Sequence, residues 1–292
     1  MIRIIYKSIL LSLINLIVFN LSAIAVKDSS NSKSITPVFK AYPDAESKHK
    51  FSLGLELFPY SYTEPNLMKI KGVFYGINGS YSFSPREEYF VRFEARLVGG
   101  STDYSSNGTG DCSKKAPNKL FETRILYNKY FQTHKNVGLT PFIGLGFRYK
   151  EDDSTGFITT TGHTSYLRES RYLYVPVGIL MNYSLQKGWG LSVSGEYDIF
   201  LVGSQKSSYL GAGFERHQQR KGYGLRSEIL LEKTFDKYIL SIGPYINYWN
   251  IRDSQKLDYN WYCSKCQKMH TYYSLEPKNY TTEIGVKMKI TF

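Results

Sequence analysis

Two groups of residues have types and spacings that can support chemistry. The first is an acid and an imidazole two positions apart, Glu215 and His217, in a polar segment at 204–220. Two more acids, Asp103 and Asp111, lie in a second polar segment at 102–118, and we expect them to face Glu215 and His217. A carboxylate and an imidazole that meet can activate a water molecule. Asp103, Glu215 and His217 are therefore candidate catalytic residues. Such a triplet often arises by chance in a loop of mixed charge, so the sequence favours a protein that is not an enzyme.

The second group contains all the cysteines of the chain. Cys263 and Cys266 form a C-x-x-C pair followed by His270, and Cys112 lies in a different polar segment. Three thiolates and an imidazole can form a tetrahedral zinc site. In an oxidising compartment a disulfide is the more frequent outcome, either within the C-x-x-C pair or from one of its members to Cys112. The sequence favours the disulfide and predicts neither a metal nor a cofactor.

The elements that position these residues are strands. From residue 49 onward, apolar side chains alternate with small or polar ones, as in a strand whose two faces meet different surroundings. Candidate strands fall at 50–60, 71–83, 87–101, 119–131, 138–150, 166–184, 189–203, 221–235, 237–252 and 279–292. Most of them reach the roughly 9–11 residues that cross a hydrocarbon core at a tilt.

The connections between these strands alternate between short and long. Long polar connections occur at 61–70, 102–118, 151–165, 204–220 and 253–278, and short turns separate them. Short periplasmic turns and long external loops are typical of outer-membrane barrels. The sequence predicts an all-β fold: a transmembrane, antiparallel, up-and-down barrel over 49–292. Ten strands fit best, with twelve as the alternative because a strand can hide within 253–278.

Charged residues sort to one face of the alternating strands. Lipid accepts an Arg or Lys near its midplane only at a cost of about 2–4 kcal/mol, so we expect the charged face to point into the barrel. The predicted lumen charges are Glu56, Arg92, Glu94, Arg96, Glu122, Arg124, Arg148, Glu196, Asp198, Arg226, Glu228, Glu232, Glu283, Lys287 and Lys289. Acids and bases both occur, so we expect them to pair across a narrow lumen.

Aromatic residues near the strand ends predict two girdles at the membrane interfaces. The girdle candidates include Tyr60, Tyr62, Tyr172, Trp189 and Trp249.

The N-terminus has the pattern of an export signal. Residues 1–25 contain Arg3 and Lys7, then an apolar run, then Ala23-Ile24-Ala25, which has the small-x-small form of a cleavage site after Ala25. Residues 26–48 are polar and rich in serine, and we read them as a flexible periplasmic tail. The sequence therefore predicts export to the bacterial outer membrane.

An export signal, repeated amphipathic strands and the ending Ile290-Thr291-Phe292 resemble bacterial outer-membrane β-barrel proteins. The resemblance covers 49–292 and implies insertion by the barrel-assembly machinery, with Phe292 in the recognition signal. The size and strand count resemble the omptin proteases, which the resemblance would equip with a pair of acids and an Asp-x-His pair. This chain departs from that pattern, because it has no Asp-x-His and offers only the Glu215 to His217 triplet.

Three functions follow from these features. We expect a non-enzymatic surface barrel whose tyrosine- and lysine-containing loops mediate adhesion or another interaction, with a host or envelope protein as a possible ligand. The alternative is a narrow diffusion pore with a preference for anions, and the third is a rim hydrolase of the omptin kind. The formal charge of +12 suggests lipopolysaccharide phosphates and outer-membrane lipids as partners, not nucleic acid, since no basic helix or arm is evident. Lysines that can meet those phosphates are Lys114, Lys115, Lys119, Lys265 and Lys268.

Overall fold

A computed structural model describes residues 48–86, 88–263 and 266–292. The predicted signal peptide, its cleavage point at Ala25 and all but the last residue of the predicted tail at 26–48 lie outside the described residues. Within the described part, no helix is both long and apolar enough to cross a membrane.

Strands make up most of the described chain. In order they are β1 (His49–Glu64), β2 (Met68–Arg86), β3 (Tyr89–Ser106), β4 (Gly110–Lys129), β5 (Phe131–His134), β6 (Val137–Asp153), β7 (Leu167–Ser184), β8 (Trp189–Tyr209), β9 (Gly213–Gln219), β10 (Gly222–Thr234), β11 (Ile239–Ile251), β12 (Leu257–Cys263), β13 (Lys268–Ser274) and β14 (Asn279–Thr291). A short 3-10 turn, Gln186–Gly188, joins β7 to β8.

Ten of these strands close into an antiparallel barrel, which confirms the predicted fold and strand count. Around the barrel the order is β1, β2, β3, β4, β6, β7, β8, β10, β11 and β14. The seam is the pairing of β1 with β14, where Leu55 lies opposite Met288. The remaining strands add to the barrel or stand apart: β5 pairs with β6, β9 pairs with β8, and β12 and β13 form a separate two-stranded sheet.

The two faces of each barrel strand differ sharply in exposure. On β1, Phe51, Leu53 and Leu57 point outward and expose 55–63% of their surface, whereas Glu56 and Phe58, which point the other way, are buried. An outward apolar band suits hydrocarbon, and it places the polar side chains of the opposite face inside the barrel.

The external connections are β-hairpins that extend beyond this band. On β1 and β2 the outward face becomes polar at Ser61 and Lys71, yet both strands continue, so only 65–67 of the predicted loop 61–70 forms a turn. Asn66 adopts the left-handed backbone that this tight turn requires, with φ of 65°. In the same way only 107–109 of the predicted loop 102–118 lies between strands. The strand pairing persists because backbone hydrogen bonds do not depend on lipid.

Candidate functional site: the barrel lumen and outer rim

The middle of the lumen is filled by ion-paired side chains from several strands. Arg96 of β3 reaches across to the seam, where its guanidinium lies 2.7 Å from Glu56 of β1 and 2.8 Å from Glu283 of β14. Arg148 of β6 adds a second cation 2.7 Å from Glu283. All four side chains are almost entirely shielded from solvent. The seam is therefore held by side chains in the lumen as well as by its backbone hydrogen bonds.

The opposite wall carries a second part of the same network. Arg226 of β10 lies 2.6 Å from Glu122, 2.7 Å from Asp198 and 3.2 Å from Glu196. Arg124 also contacts Glu196, at 2.6 Å. Glu122 joins the two parts, because Arg96 and Arg148 approach it at 3.7 and 3.9 Å. Each ion here costs several kcal/mol to desolvate, so removing one partner leaves a charge that little else can compensate.

The other predicted lumen charges lie nearer the short-turn end. Arg92 is 3.7 Å from Glu94, which also pairs with Arg124. Lys287 and Lys289 share Glu228, and Ser241 donates a hydrogen bond to Glu232. The structure thus places all the charged residues named from the sequence inside the barrel, where acids and bases pair.

Aromatic side chains pack in the lumen on the external side of the ion network. Tyr60 stacks on Phe74 with ring centroids 4.5 Å apart, and Tyr174 meets Trp249 edge to face at 5.0 Å. The guanidinium of Arg226 lies 5.5 Å from the Trp249 ring, so the aromatic layer also contacts the cations. The prediction that Tyr60, Tyr62, Tyr172 and Trp249 belong to the membrane girdles is wrong, because their side chains are buried inside the barrel.

Below the ion network the lumen widens into a cavity of about 720 Å³. Its wall includes Arg92, Glu94, Lys287 and Lys289, and it reaches the β10 to β11 turn at Asp236 and Phe292 at the C-terminus. These last residues lie at the short-turn end of the barrel. The lumen therefore contains a chamber on that side and, adjoining it, a layer of ion pairs and aromatic rings.

At the external rim, the candidate catalytic residues do not assemble as the sequence suggested. Ser274 Oγ donates to Glu215 Oε2 at 2.9 Å and lies 3.2 Å from His217 Nε2. Asp103 is on β3, which is separated from β8 and β9 by β4, β6 and β7 in the order around the barrel. Its exposed carboxylate lies 2.8 Å from the Lys115 ammonium. Asp111 is exposed as well. The expectation that Asp103 or Asp111 faces His217 is wrong, because the side chain of Asp103 points away from the lumen.

No protein-family model matches the chain, and no curated protein matches it. Solved structures do match. The outer membrane protease OmpT from Escherichia coli superposes with a TM-score of 0.55 at 10% identity, over 90% of this chain and all of that one. The chain has the outer-membrane β-barrel fold. Weaker similarities, with TM-scores of 0.39 and 0.34, are to the translocator domain of the autotransporter NalP from Neisseria meningitidis and to the toluene transporter TodX from Pseudomonas putida. They have 11% and 7% identity, and cover 82% and 85% of this chain and 88% and 90% of those chains.

The cysteines of this outer-membrane barrel are divided between two places. Cys112 is a free, buried thiol on β4, with Sγ 3.7 Å from the carbonyl oxygen of Lys114. Cys266 is disulfide-bonded, and the side chain of Cys263 lies outside the described part. A disulfide from Cys112 to either of the others is therefore not formed. Among the described residues, no three His, Cys, Asp or Glu side chains come together as metal ligands.

The C-terminal end of the barrel completes the seam. The backbone of Phe292 exchanges hydrogen bonds with Phe51 at 2.8 and 3.2 Å, and the Phe292 side chain is exposed on the outward surface. The residue named as the assembly signal thus lies at the lower, short-turn edge of the outward surface.

Proposed function

We propose that this chain is a non-conducting outer-membrane barrel that acts at the cell surface through its external hairpins, without catalysis. The observation that supports this most strongly is the ion-paired layer in the middle of the lumen. Arg96, Arg148 and Arg226 are each held by at least two carboxylates there, and the aromatic layer covers them on the external side.

The ion-paired layer in the lumen does not favour the alternative of an anion-preferring pore. An anion channel needs cations that face a continuous aqueous path. In this barrel the central guanidiniums of Arg96 and Arg226 are neutralised by carboxylates, and the Arg226 guanidinium also contacts aromatic rings. Both arginines line the cavity of about 720 Å³, but as members of ion pairs and not as free cations. Passage of an ion would require several buried salt bridges to break together.

The rim geometry speaks against hydrolysis. His217 is 3% exposed, and its Nε2 is already engaged by Ser274 and lies 3.5 Å from Glu215. Nδ1 is buried and has no hydrogen-bond partner among the described residues, so no carboxylate of that part of the chain orients the ring from that side. A general base needs an accessible nitrogen within reach of the water it activates.

The hairpin of β12 and β13 is the best candidate for a binding surface. Met269, Tyr272 and Tyr273 expose more than half of their surface. Tyr272 stacks on Tyr259 with centroids 5.2 Å apart, and the Lys256 ammonium lies 4.0 Å from the Tyr273 centroid. Rigid tyrosines beside a cation provide a large contact area at a low entropic cost. A cluster of exposed apolar groups of this kind typically marks an interaction site.

We further propose the export route and the lipid partners. Residues 1–25 direct secretion, and Phe292 serves recognition by the assembly machinery. Lys115 and Lys119 lie on the outward face of β4 beyond the apolar band, and more than half of each side chain is exposed. From there they can meet phosphates of outer-leaflet lipopolysaccharide, whereas Lys265 lies outside the described residues.

The deciding experiment is single-channel recording from the mature chain in a planar bilayer, with heat-modifiable gel mobility to verify the folded barrel. We expect no steady conductance. A steady anion-selective conductance that falls when Arg92 and Arg96 are neutralised would establish the pore instead.

The surface role is tested in parallel by deleting 253–278, which should abolish adhesion of barrel-bearing cells while the heat-modifiable mobility stays unchanged. The variant Asp103→Asn, which alters a different external hairpin, is the matched control.

A further inference from the structure

The segment that carries the β12 to β13 hairpin, residues 252–278, is fastened to the barrel mouth at two places. One is Ser274, through its contacts with Glu215 and His217 of β9. The other is Glu276, whose side chain enters the mouth and is 8% exposed. The base of the segment is closed by Ser254, which exchanges hydrogen bonds with Glu276 at 2.8 and 2.9 Å. The position of the hairpin thus depends on how firmly these two side chains are held.

The contact of Glu276 with the barrel requires a proton. The Tyr62 hydroxyl lies 2.9 Å from Glu64 Oε1 and 3.2 Å from Glu276 Oε1. A hydroxyl has one hydrogen, so it can donate to only one of the two carboxylates at a time. The other carboxyl must then donate to the hydroxyl oxygen, and for that it must be protonated. All three side chains are buried, so water does not easily take the place of that proton.

The charges around the pair agree with this count. Arg168 of β7 lies 3.8 Å from Glu64, and its guanidinium also contacts Tyr166 and Met68. Lys150 of β6, Tyr166, and Tyr172 of β7 are further titratable groups that act on the pair, and Asp152 acts on Lys150. Arg168 and Lys150 are thus the cations that face the two carboxyls, and Lys150 is shared with Asp152, so the pair does not have the full charge of both cations to itself.

Both carboxyls lie beyond the apolar band, which ends near Pro59 on β1. Burial, and then the negative charge of Glu64, raise the pKa of Glu276 to about 8. Burial also raises the pKa of Glu64. Arg168 opposes both shifts without cancelling them.

We propose that Glu276 and Glu64 form a proton-dependent latch, which holds the 252–278 segment on the barrel mouth and releases it as the pH rises. The idea that this latch regulates binding by the hairpin rests on the proposed function. The latch itself can be tested without a binding partner.

The direction follows from linkage. A released Glu276 is solvated and titrates near its ordinary pKa of roughly 4.3, whereas the docked carboxyl retains its proton at a higher pH. The docked state therefore binds more protons, and docking is favoured most below about pH 4. Between about pH 5 and 8 the ratio of docked to released segment should fall by up to about tenfold per pH unit. Above about pH 8 the ratio should level off.

The test is limited trypsin digestion of the full mature chain in membrane vesicles between pH 5.5 and 8.5. Cleavage after Lys278 is followed by mass spectrometry, because the Lys278 amide is bonded to Asp253 in the docked segment. Each rate is divided by the rate for Glu276→Gln at the same pH, which cancels the pH dependence of trypsin. The glutamine donates a hydrogen bond as the protonated acid does, so it should stay docked throughout. When opening is fast compared with cleavage, the ratio reports the released population.

We expect the wild-type cleavage rate, divided by the Glu276→Gln rate, to rise by up to about tenfold per pH unit and then level off. Glu64→Gln changes the barrel side only and should also flatten the profile. Should Glu276→Gln fail to fold, the rate for Glu64→Gln replaces it as the divisor. Asp258→Asn alters an exposed carboxylate on β12 and should retain the wild-type profile. A flat wild-type ratio overturns the latch. So does a slope that disappears in His217→Gln and persists in Glu64→Gln, because the Ser274 contact would then be the sensor. Adhesion that survives either result would leave the proposed surface function standing.

Discussion

Replacing Arg226 by methionine tests whether the ion network in the lumen is a connected structure. Glu122 would still have Arg96 and Arg148 nearby, and Glu196 would keep Arg124. Asp198 would lose the one ion pair that it makes among the described residues. Asp198 is 0% exposed, and no described residue forms a hydrogen bond with its Oδ1. The substitution would therefore leave a buried carboxylate without a counter-charge.

The expected cost is that of breaking a buried ion pair from one side, about 3–5 kcal/mol. With a urea dependence of about 2 kcal/mol per molar, the unfolding midpoint should fall by roughly 1.5–2.5 M. The assay is reversible urea unfolding in lipid vesicles, followed by tryptophan fluorescence and by heat-modifiable mobility. Methionine keeps most of the arginine volume, so the loss reports charge more than packing.

Two further variants make the reasoning refutable. Arg226→Met combined with Asp198→Asn should recover more than half of the lost free energy, because the stranded charge is gone. Lys115→Met removes an exposed pair with Asp103 and should cost less than about 1 kcal/mol. A single Arg226→Met variant within about 1 kcal/mol of wild type would show that the network is not coupled. So would a double variant no more stable than the single one.

Two other predictions concern the outward face and the external hairpin. Leu55→Arg, in the middle of the apolar band, should destabilise the barrel by about 2–4 kcal/mol in the same urea assay. Thr63→Arg lies beyond the band and should cost less than about 1 kcal/mol. Equal losses of free energy in the two variants would place the band elsewhere. Reducing the disulfide of Cys266 should shift the free energy of unfolding by less than about 0.5 kcal/mol, because β12 and β13 form a sheet separate from the barrel. A larger shift would mean that the hairpin contributes to the stability of the barrel.

The sequence contained enough to predict the barrel but not the contents of its lumen. Alternation along 49–292 identified all ten barrel strands, because each outward face must be apolar in lipid. The same parity places Tyr60 and Tyr62 inside the barrel, since both share the side of Glu56. The girdle prediction for these two residues depends on their aromatic character alone. An aromatic ring suits an interface and a packed lumen equally well, so residue type alone does not separate the two.

The external rim was harder to predict, for a different reason. Polarity beyond the band predicted loops at 61–70 and 102–118, yet a water-exposed hairpin has polar residues on its outer face as well. The contacts of Ser274 and Glu276 connect β9 and β1 to a segment about 60 and 210 residues away in the chain. No local pattern encodes such distant partners. The candidate site could therefore be located at one end of the barrel, but its pairings required the three-dimensional arrangement.

The seam between β1 and β14 has a consequence for how the protein is made. Its two strands lie at opposite ends of the barrel sequence, so they are the contacts of highest sequence separation and close late during folding. Their meeting brings Glu56 and Glu283 to the same arginine, Arg96. Closure of the wall and completion of these ion pairs are thereby the same event. The charged network of the lumen cannot be complete in an open sheet, so it adds to the stability of the barrel only once the last two strands have met.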